Sequence, residues 1–229
     1  MTDKIYITPE LFIFFRELQE NNNREWFEAN KKRYETQVRG PLLDFITDFG
    51  LRLAEISPHY VADARKSGGS LFRINRDVRF SKDKSPYKTH AGVQFRHESG
   101  KDAHAPGFYL HLEPDGIFGG VGIWHPDNQT LGKIRDRIVD GPEKWENLKA
   151  DESFASMFTL GGDSLKRAPK GYDPDHPLIE DLRRKDFIAS TQFSEAETCR
   201  PEFIEQFADS CRRAAPFVGF LTTAMGLPF

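Results

Sequence analysis

The chain has 229 residues, of which 38% are apolar, 13% aromatic and 29% charged, and its formal net charge is -3. Such a length and composition can bury a substantial core, which excludes a disordered or low-complexity protein. The sequence contains neither an apolar run of the roughly 20 residues that a membrane span needs nor a secretory signal. We therefore expect a single domain over residues 1–229, located in the cytoplasm and without a membrane partner.

Helices are predicted in the first quarter of the chain. Thr8 followed by Pro9 is a helix start, since threonine caps free amide groups and proline suits the first helical turn. An asparagine run at 21–23 interrupts this helix before a second helical segment. Apolar residues between 42 and 56 then recur every three or four positions, which predicts an amphipathic helix.

Strands are predicted in the middle of the chain, where the apolar period changes to two. They form a central antiparallel sheet over about residues 71–124, in which the Pro-Asp-Gly sequence at 114–116 supplies the turn of a hairpin. After residue 126 the pattern returns to helix. The predicted fold class is therefore α+β, with the sheet packed by N-terminal and C-terminal helices.

A basic segment, residues 72–90, opens the predicted sheet and lies within a wider basic region. From Arg65 to Lys101, ten Lys or Arg residues are opposed by only three Asp or Glu residues, in a chain that is acidic overall. A basic run this dense, interrupted by aromatic residues, either holds an anion or is neutralised by another part of the fold. Asn75 and Asp77 are poor strand formers within it, which favours a contact with a ligand over a purely structural role.

Strand alternation assigns the residues of this segment to two faces. The apolar face takes Phe72, Ile74, Val78 and Phe80. Arg76 falls on the same side, which predicts a bulge or a buried, paired arginine. If the next strands are neighbours, the opposite face carries Arg73, Asn75, Asp77, Gln94, Arg96, Tyr109 and His111. That face is either a binding surface or the solvated side of a sheet with cross-strand ion pairs.

Several motifs carry a family resemblance. They are FRINRDVRFSKDKSPYKTHAG, GFYLHLEPDGIFGGVGIWHPD from Gly107, LKRAPKGYDPDHP from Leu165, and the early residues Asn22, Trp26, Phe27, Asn30 and Tyr34. With these motifs, nearly the whole chain resembles the bacterial and fungal family catalogued as domain of unknown function 2461. The resemblance implies a single-domain soluble protein of mixed α and β structure, and it implies no particular activity.

We predict that the basic sheet face binds an anionic, phosphate-bearing small molecule. Arginine binds phosphate or carboxylate through two parallel hydrogen bonds, and neighbouring lysines add positive charge. The predicted ligand-binding residues are Arg73, Asn75, Arg76, Arg79, Lys82, Lys84, Tyr87, Arg96 and Tyr109. No cofactor is specified.

An enzymatic version of this prediction assigns three catalytic roles on the same face. His111 is the candidate general base, Asp77 orients it or abstracts a proton, and Lys88 stabilises developing charge. No metal site is predicted, because no two of the seven histidines form a close helical pair, although His111 and Glu113 share a strand face. Whether the protein is an enzyme, and what its oligomeric state is, stay open.

Two other functions compete with a small-molecule site. One is a nucleic-acid-binding module, in which the region 65–101 contacts backbone phosphates and Tyr87 or Phe80 stacks on a base. The net charge of -3 weighs against extended tracking along nucleic acid. The other is a structural interaction protein, whose arginines pair with the acidic remainder of the chain.

Overall fold

A computed structural model describes residues 4–100 and 105–229 of the chain. The first helices are α1 (Pro9–Glu20), α2 (Arg24–Arg33) and α3 (Gly40–Ile56), with a π-helical segment at Tyr34–Arg39. The later helices are α4 (Asn128–Asp140), α5 (Pro142–Ala150), α6 (Glu152–Ala155), α7 (Ile179–Leu182), α8 (Glu195–Thr198) and α9 (Phe203–Ala224). None of the helices in these two ranges combines the length and the apolar composition that crossing a lipid bilayer requires.

Within the described residues, six strands form one antiparallel sheet in the order β1-β2-β3-β4-β6-β5. Their bounds are β1 (Tyr60–Val61), β2 (Ala91–His97), β3 (Gly107–Leu112), β4 (Phe118–Ile123), β5 (Thr159–Gly161) and β6 (Phe187–Gln192). Helices precede and follow this sheet along the chain, which confirms the α+β class. The sheet extends beyond its predicted limits, because β6 returns from the C-terminal half to pair with β4.

The predicted hairpin is formed by β3 and β4. Its turn is closed by a hydrogen bond from the backbone N–H of Gly116 to the carbonyl of Glu113, at 3.1 Å. Asp115 lies in this turn with φ of 62°, a left-handed conformation that aspartate tolerates better than most residues. Along β3 the predicted alternation also holds, since Phe108, Leu110 and Leu112 are buried whereas the residues between them are partly exposed.

One face of the sheet packs against α3 and α9. The ring centroid of Phe95 on β2 lies 4.6 Å from that of Phe49 on α3 and 6.2 Å from that of Phe207 on α9. Gly122 on β4 adopts φ of 105°, and a Cβ atom there would lie only 2.9 Å from the ring of Phe217. Aromatic rings therefore fill most of this face, and the polar residues Tyr109 and His111 of β3 lie on the other face.

The three asparagines between α1 and α2 bind three different partners. The side-chain amide of Asn21 donates to a carbonyl of the last turn of α1 at 2.9 Å, and Asn23 caps α2 by accepting a backbone N–H at 2.9 Å. Asn22 instead binds distant Tyr87, donating to its carbonyl at 3.0 Å and accepting its N–H at 3.1 Å. The helical part of the protein thus fixes the position of the basic segment.

The basic segment is not the long strand that its alternation predicts. Only its first residues lie beside β2, where the backbone N–H of Phe72 donates to the carbonyl of Gly92 at 2.9 Å. This register places the ring of Phe72 on the same face as Tyr109, with 6.1 Å between their centroids. The predicted position of Phe72 on the core side was therefore wrong.

Further along, the segment folds back on itself. An isolated bridge joins Asn75 to Tyr87, and the loop between them exposes 95% of Phe80 to solvent. Asp77 ends the extended run, because its carboxylate accepts the backbone N–H of Arg79 at 3.3 Å and so competes with sheet pairing. The predicted place of Phe80 in the core was wrong for this reason.

Candidate functional site

The sheet face opposite α3 and α9 carries Tyr109 and His111 on β3. On neighbouring strands, Tyr109 is paired with Gly120 and His111 with Gly92. A Cβ atom at Gly92 would lie 2.6 Å from the hydroxyl oxygen of Tyr109, so only glycine admits this ring over β2. Gly92 therefore provides the space in which the polar ends of Tyr109 and His111 meet.

His90, at the end of the basic segment, completes a cluster around His111. Its ring centroid lies 4.4 Å from that of His111, which in turn stacks on Phe118 at 4.7 Å. The Nδ1 atom of His111 is 2.9 Å from the Tyr109 hydroxyl, and its Nε2 atom is 3.2 Å from a carboxylate oxygen of Glu113. Donor atoms of His90, His111 and Glu113 all lie within 4.8 Å of one another.

Glu113 is held by contacts at both of its carboxylate oxygens. The hydroxyl of Thr89 donates to Oε1 at 2.9 Å, while Oε2 lies next to His111. Thr89 precedes β2 and Glu113 follows β3, so these contacts connect the two strands at one end of the sheet. The side chains of His111 and Glu113 remain 12% and 32% exposed, which leaves the cluster accessible from solvent.

Burial favours the neutral forms of His90, His111 and Tyr109. It lowers the pKa of His90 to about 4, and it lowers the pKa of His111 although Glu113 acts in the opposite direction. Burial also raises the pKa of Tyr109, so its phenol stays protonated. At pH 7 the cluster therefore offers imidazole lone pairs and a phenolic hydroxyl beside the Glu113 carboxylate.

Lys88 lies beside His90 of this cluster, and Arg73 lies close to Lys88. The Nζ atom of Lys88 is 5.2 Å from the centre of the Phe72 ring. Burial lowers the pKa of Lys88, and the charge of Arg73 lowers it further, so the two cations are close enough to repel each other. Within residues 4–100 and 105–229, neither of them forms an ion pair. Both charges are therefore available to an anion.

Two of the predicted arginines are instead paired within their own loop. Arg79 donates to Asp77 at 2.7 Å, and this hydrogen bond lowers the pKa of Asp77 to about 2. Arg76 pairs with Asp83 and also donates to the carbonyl of Ser85 at 3.3 Å. Arg76 is thus paired, as predicted, but its side chain is 27% exposed and lies in a loop instead of the core.

The structure does not bring Asp77 to His111. The carboxylate beside the imidazole belongs to Glu113, two residues further along the same chain. The predicted pairing required residues 71–80 to form a strand next to the sheet, and the turn at Asp77 prevents this. Asp77 therefore has no place in the cluster.

The remaining predicted binding residues are dispersed. Tyr87 is buried and stacks on a phenylalanine of α2 with 4.1 Å between centroids, so it is a core residue. Asn75 and Lys82 have exposed side chains, and Lys84 donates to a carbonyl of its own loop at 2.9 Å. Arg96 donates to a carbonyl that precedes the basic segment, at 3.4 Å. None of these contacts joins them to the histidine cluster.

A second carboxylate site, which the sequence did not single out, lies after β4. Asp186 is 2% exposed and accepts the backbone N–H of His125 at 2.7 Å and that of Asp163 at 2.9 Å. The Nδ1 atom of His125 is 2.8 Å from the same carboxylate, and the His125 ring stacks on Trp124. Because Asp186 binds two backbone groups from separate loops, we assign it a structural role.

The fold and the site together define a class of α+β protein with helices on one face of an antiparallel sheet and a His-Glu-Tyr cluster on the other. The family model described as "Conserved hypothetical protein (DUF2461)" matches residues 10–220. The chain belongs to this family, which confirms the resemblance seen in its motifs. A search of the curated proteins finds no match.

Proposed function

We propose that the protein binds an anionic small molecule, bearing a phosphate or a carboxylate, beside the histidine cluster. The observation that carries this proposal is the half-buried Lys88 close to Arg73, with no ion pair for either in the described residues. Burying an ammonium group beside a second cation is unfavourable unless an opposite charge is present. A bound anion would supply that charge.

Each residue of the site would contribute a different interaction. Arg73 presents a planar fork that matches a phosphate or carboxylate through two hydrogen bonds, whereas Lys88 acts as a point charge. The neutral histidines and Tyr109 add hydrogen-bonding groups without adding charge. If the site is catalytic, His111 is able to accept a proton at neutral pH with Glu113 as its partner, and Lys88 would stabilise developing negative charge.

Ligand-induced stabilisation tests this proposal. Thermal unfolding is measured with inorganic phosphate, pyrophosphate and citrate for the wild type and for Arg73→Ala, Lys88→Ala and Arg79→Ala. A ligand at about 100 times its Kd adds about 2.7 kcal/mol to the free energy of unfolding. We expect this stabilisation in the wild type and in the control Arg79→Ala, whose side chain is already paired with Asp77. It should be lost in the other two variants.

Two outcomes would contradict the proposal. If none of the three anions raises the melting temperature, the site does not hold an anion of this kind. If Arg79→Ala loses as much stabilisation as Arg73→Ala, the basic loop as a whole attracts anions and the pair formed by Arg73 and Lys88 has no special role.

One observation favours the nucleic-acid alternative. Phe80 is 95% exposed, and the guanidinium of Arg79 lies 5.8 Å from its ring centre, so the loop could stack on a base. Binding of a single-stranded oligonucleotide at 50 and 200 mM salt distinguishes the two functions. Six phosphate contacts would weaken binding by on the order of a thousandfold over this range, whereas one phosphate in a site responds weakly. We expect the weak response.

The proposed compartment is the cytoplasm. Cys199 and Cys211 are free cysteines, and burial raises the pKa of both thiols. Cysteines that stay reduced are typical of intracellular proteins. Imaging of the tagged full chain in its own cells would test this location, and an extracellular or membrane signal would contradict it.

A further inference from the structure

The histidine cluster carries an inference that is independent of anion binding. We propose that His90, His111 and Glu113 bind a divalent first-row transition metal ion. Their ligand atoms lie within 4.8 Å of one another. His90 directly precedes β2, and His111 and Glu113 lie at the end of β3, which is paired with the start of β2. Two imidazoles and one carboxylate form a donor set that suits Zn²⁺ or Fe²⁺, whereas Mg²⁺ and Ca²⁺ prefer oxygen ligands alone.

The distances in the cluster are close to those of a metal site. Bonds of about 2.0–2.2 Å to nitrogen and oxygen place neighbouring ligand atoms roughly 3.0–3.5 Å apart. The Nε2 atom of His111 and the Oε2 atom of Glu113 are 3.2 Å apart, which is already within that range. The ligand atom of His90, which lies within 4.8 Å of the other two, has to approach by at most about 1.8 Å, a distance on the scale of a small side-chain rotation.

Outer contacts orient two of the three ligands. The Tyr109 hydroxyl lies 2.9 Å from Nδ1 of His111, and Thr89 donates to the Glu113 oxygen that does not lie next to His111. Metal-binding histidines and carboxylates usually have such partners. When Nδ1 carries the proton, the Nε2 lone pair and a carboxylate oxygen face each other, and a shared cation stabilises this arrangement.

Three protein ligands leave at least one coordination position for water or another small ligand. The partial exposure of His111 and Glu113 gives such a ligand access from solvent. A metal ion here would therefore keep an open coordination position for a further molecule, unlike a structural metal site, in which protein ligands fill all four positions.

A second His-Glu pair, for which the described residues offer no third ligand, serves as a control. His59 lies 2.7 Å from a carboxylate oxygen of Glu98, and its ring is 5.7 Å from that of His97. Both ring nitrogens of His97 are engaged, one with the carbonyl of Pro228 at 3.0 Å and one with the N–H of Ser99 at 3.1 Å. His97 is therefore not free to bind a metal ion together with His59.

To test this site, the full chain is treated with a chelator to remove metal and is kept in phosphate-free buffer. It is then titrated with Zn²⁺ by isothermal calorimetry and with Co²⁺ by absorption spectroscopy. We expect one ion per chain and visible Co²⁺ absorption bands. Glu113→Gln and His90→Gln should weaken binding by about 100-fold or more, since loss of an outer partner alone, as in Thr89→Ala, typically costs about 10- to 100-fold. His59→Gln should bind like the wild type.

Several results would overturn the metal site. They are Zn²⁺ binding below one ion per chain, unchanged affinity in Glu113→Gln and His90→Gln, or an equal loss in His59→Gln. Circular dichroism without metal verifies that each variant is folded, and the near-isosteric Glu113→Gln provides a readout if His90→Gln unfolds. Arg73→Ala separates the two proposals, because it should lose anion binding and keep the wild-type affinity for Zn²⁺.

Discussion

Replacing Asn22 with alanine should destabilise the protein far more than the same change at its neighbours. The variant loses both hydrogen bonds to Tyr87, at 3.0 and 3.1 Å. Tyr87 is only 5% exposed, so water has little access to the N–H and carbonyl groups left behind. Each unsatisfied buried group costs about 1–3 kcal/mol, which after partial relaxation predicts a loss of about 2–4 kcal/mol in the free energy of unfolding.

The same substitution should weaken the functional site. Lys88 follows Tyr87 directly, and its backbone N–H donates to the carbonyl of Ile74 at 2.8 Å. Without Asn22, the backbone that positions Lys88 and His90 loses its two hydrogen bonds to the helical part and keeps the stacking of Tyr87 on α2. We therefore expect weaker anion binding in Asn22→Ala even under conditions where the variant is fully folded.

Urea denaturation, followed by circular dichroism and by tryptophan fluorescence, measures the effect on stability. Asn21→Ala is the matched control, because it breaks a single hydrogen bond of 2.9 Å within α1 and should cost about 0.5–1.5 kcal/mol. Equal losses in the two variants would refute the role of Asn22. So would a folded Asn22→Ala protein that binds anions as tightly as the wild type.

Two further substitutions test other parts of the structure. Gly92→Ala places a Cβ atom 2.6 Å from the Tyr109 hydroxyl, so we expect a loss of about 1–3 kcal/mol and a changed near-ultraviolet circular dichroism spectrum; an unchanged spectrum would contradict this contact. Asp186→Ala leaves the N–H groups of His125 and Asp163 unpaired and should cost about 2–5 kcal/mol at pH 7. Burial raises the pKa of Asp186, but the hydrogen bonds from Asp163 and His125 outweigh it and lower the pKa overall. The carboxylate's contribution is therefore present above the unfolded-state pKa of about 4 and is lost as the pH falls through the lower folded-state pKa. A difference in stability between wild type and variant that stays constant with pH would contradict this account.

Part of the site was predictable, because side chains alternate between the two faces along a strand. Tyr109, His111 and Glu113 alternate with buried apolar residues, so the sequence alone places their side chains on one face. His90 was not predicted there, because its position depends on a bend before β2, on the hydrogen bond between Thr89 and Glu113, and on a ring contact with His111, none of which periodicity shows. The sequence therefore predicts the part of the cluster that lies along β3, but not the part contributed by the backbone before β2.

The basic segment shows why charge alone did not locate the anion site. Arg79 and Arg73 contribute equally to the positive charge, yet only Arg79 has a carboxylate within ion-pair distance in the described residues. The difference arises from the local turn in which Asp77 accepts the N–H of Arg79, and this turn also ends the extended run. The same local competition explains why the predicted strand over 71–80 did not form.

The last strand, β6, was missed for a different reason. Its residues alternate in burial, with Phe187, Ala189 and Thr191 inside, but alanine and threonine give a weak apolar signal. The strand is also separated from β4 by four helices and β5, so its pairing depends on contacts far apart in the sequence. Local patterns therefore predicted β2, β3 and β4 and omitted β6, together with the short edge strands β1 and β5.

A crystal structure of the protein grown in selenate, with anomalous diffraction recorded at the selenium edge, tests the proposed anion site most directly. We predict an anomalous peak within hydrogen-bonding distance of Arg73 and Lys88, because neither of these two cations forms an ion pair in the described part of the chain. The strongest peak beside Lys82 and Lys84 in the exposed loop, with none near Arg73 and Lys88, would contradict the proposed function.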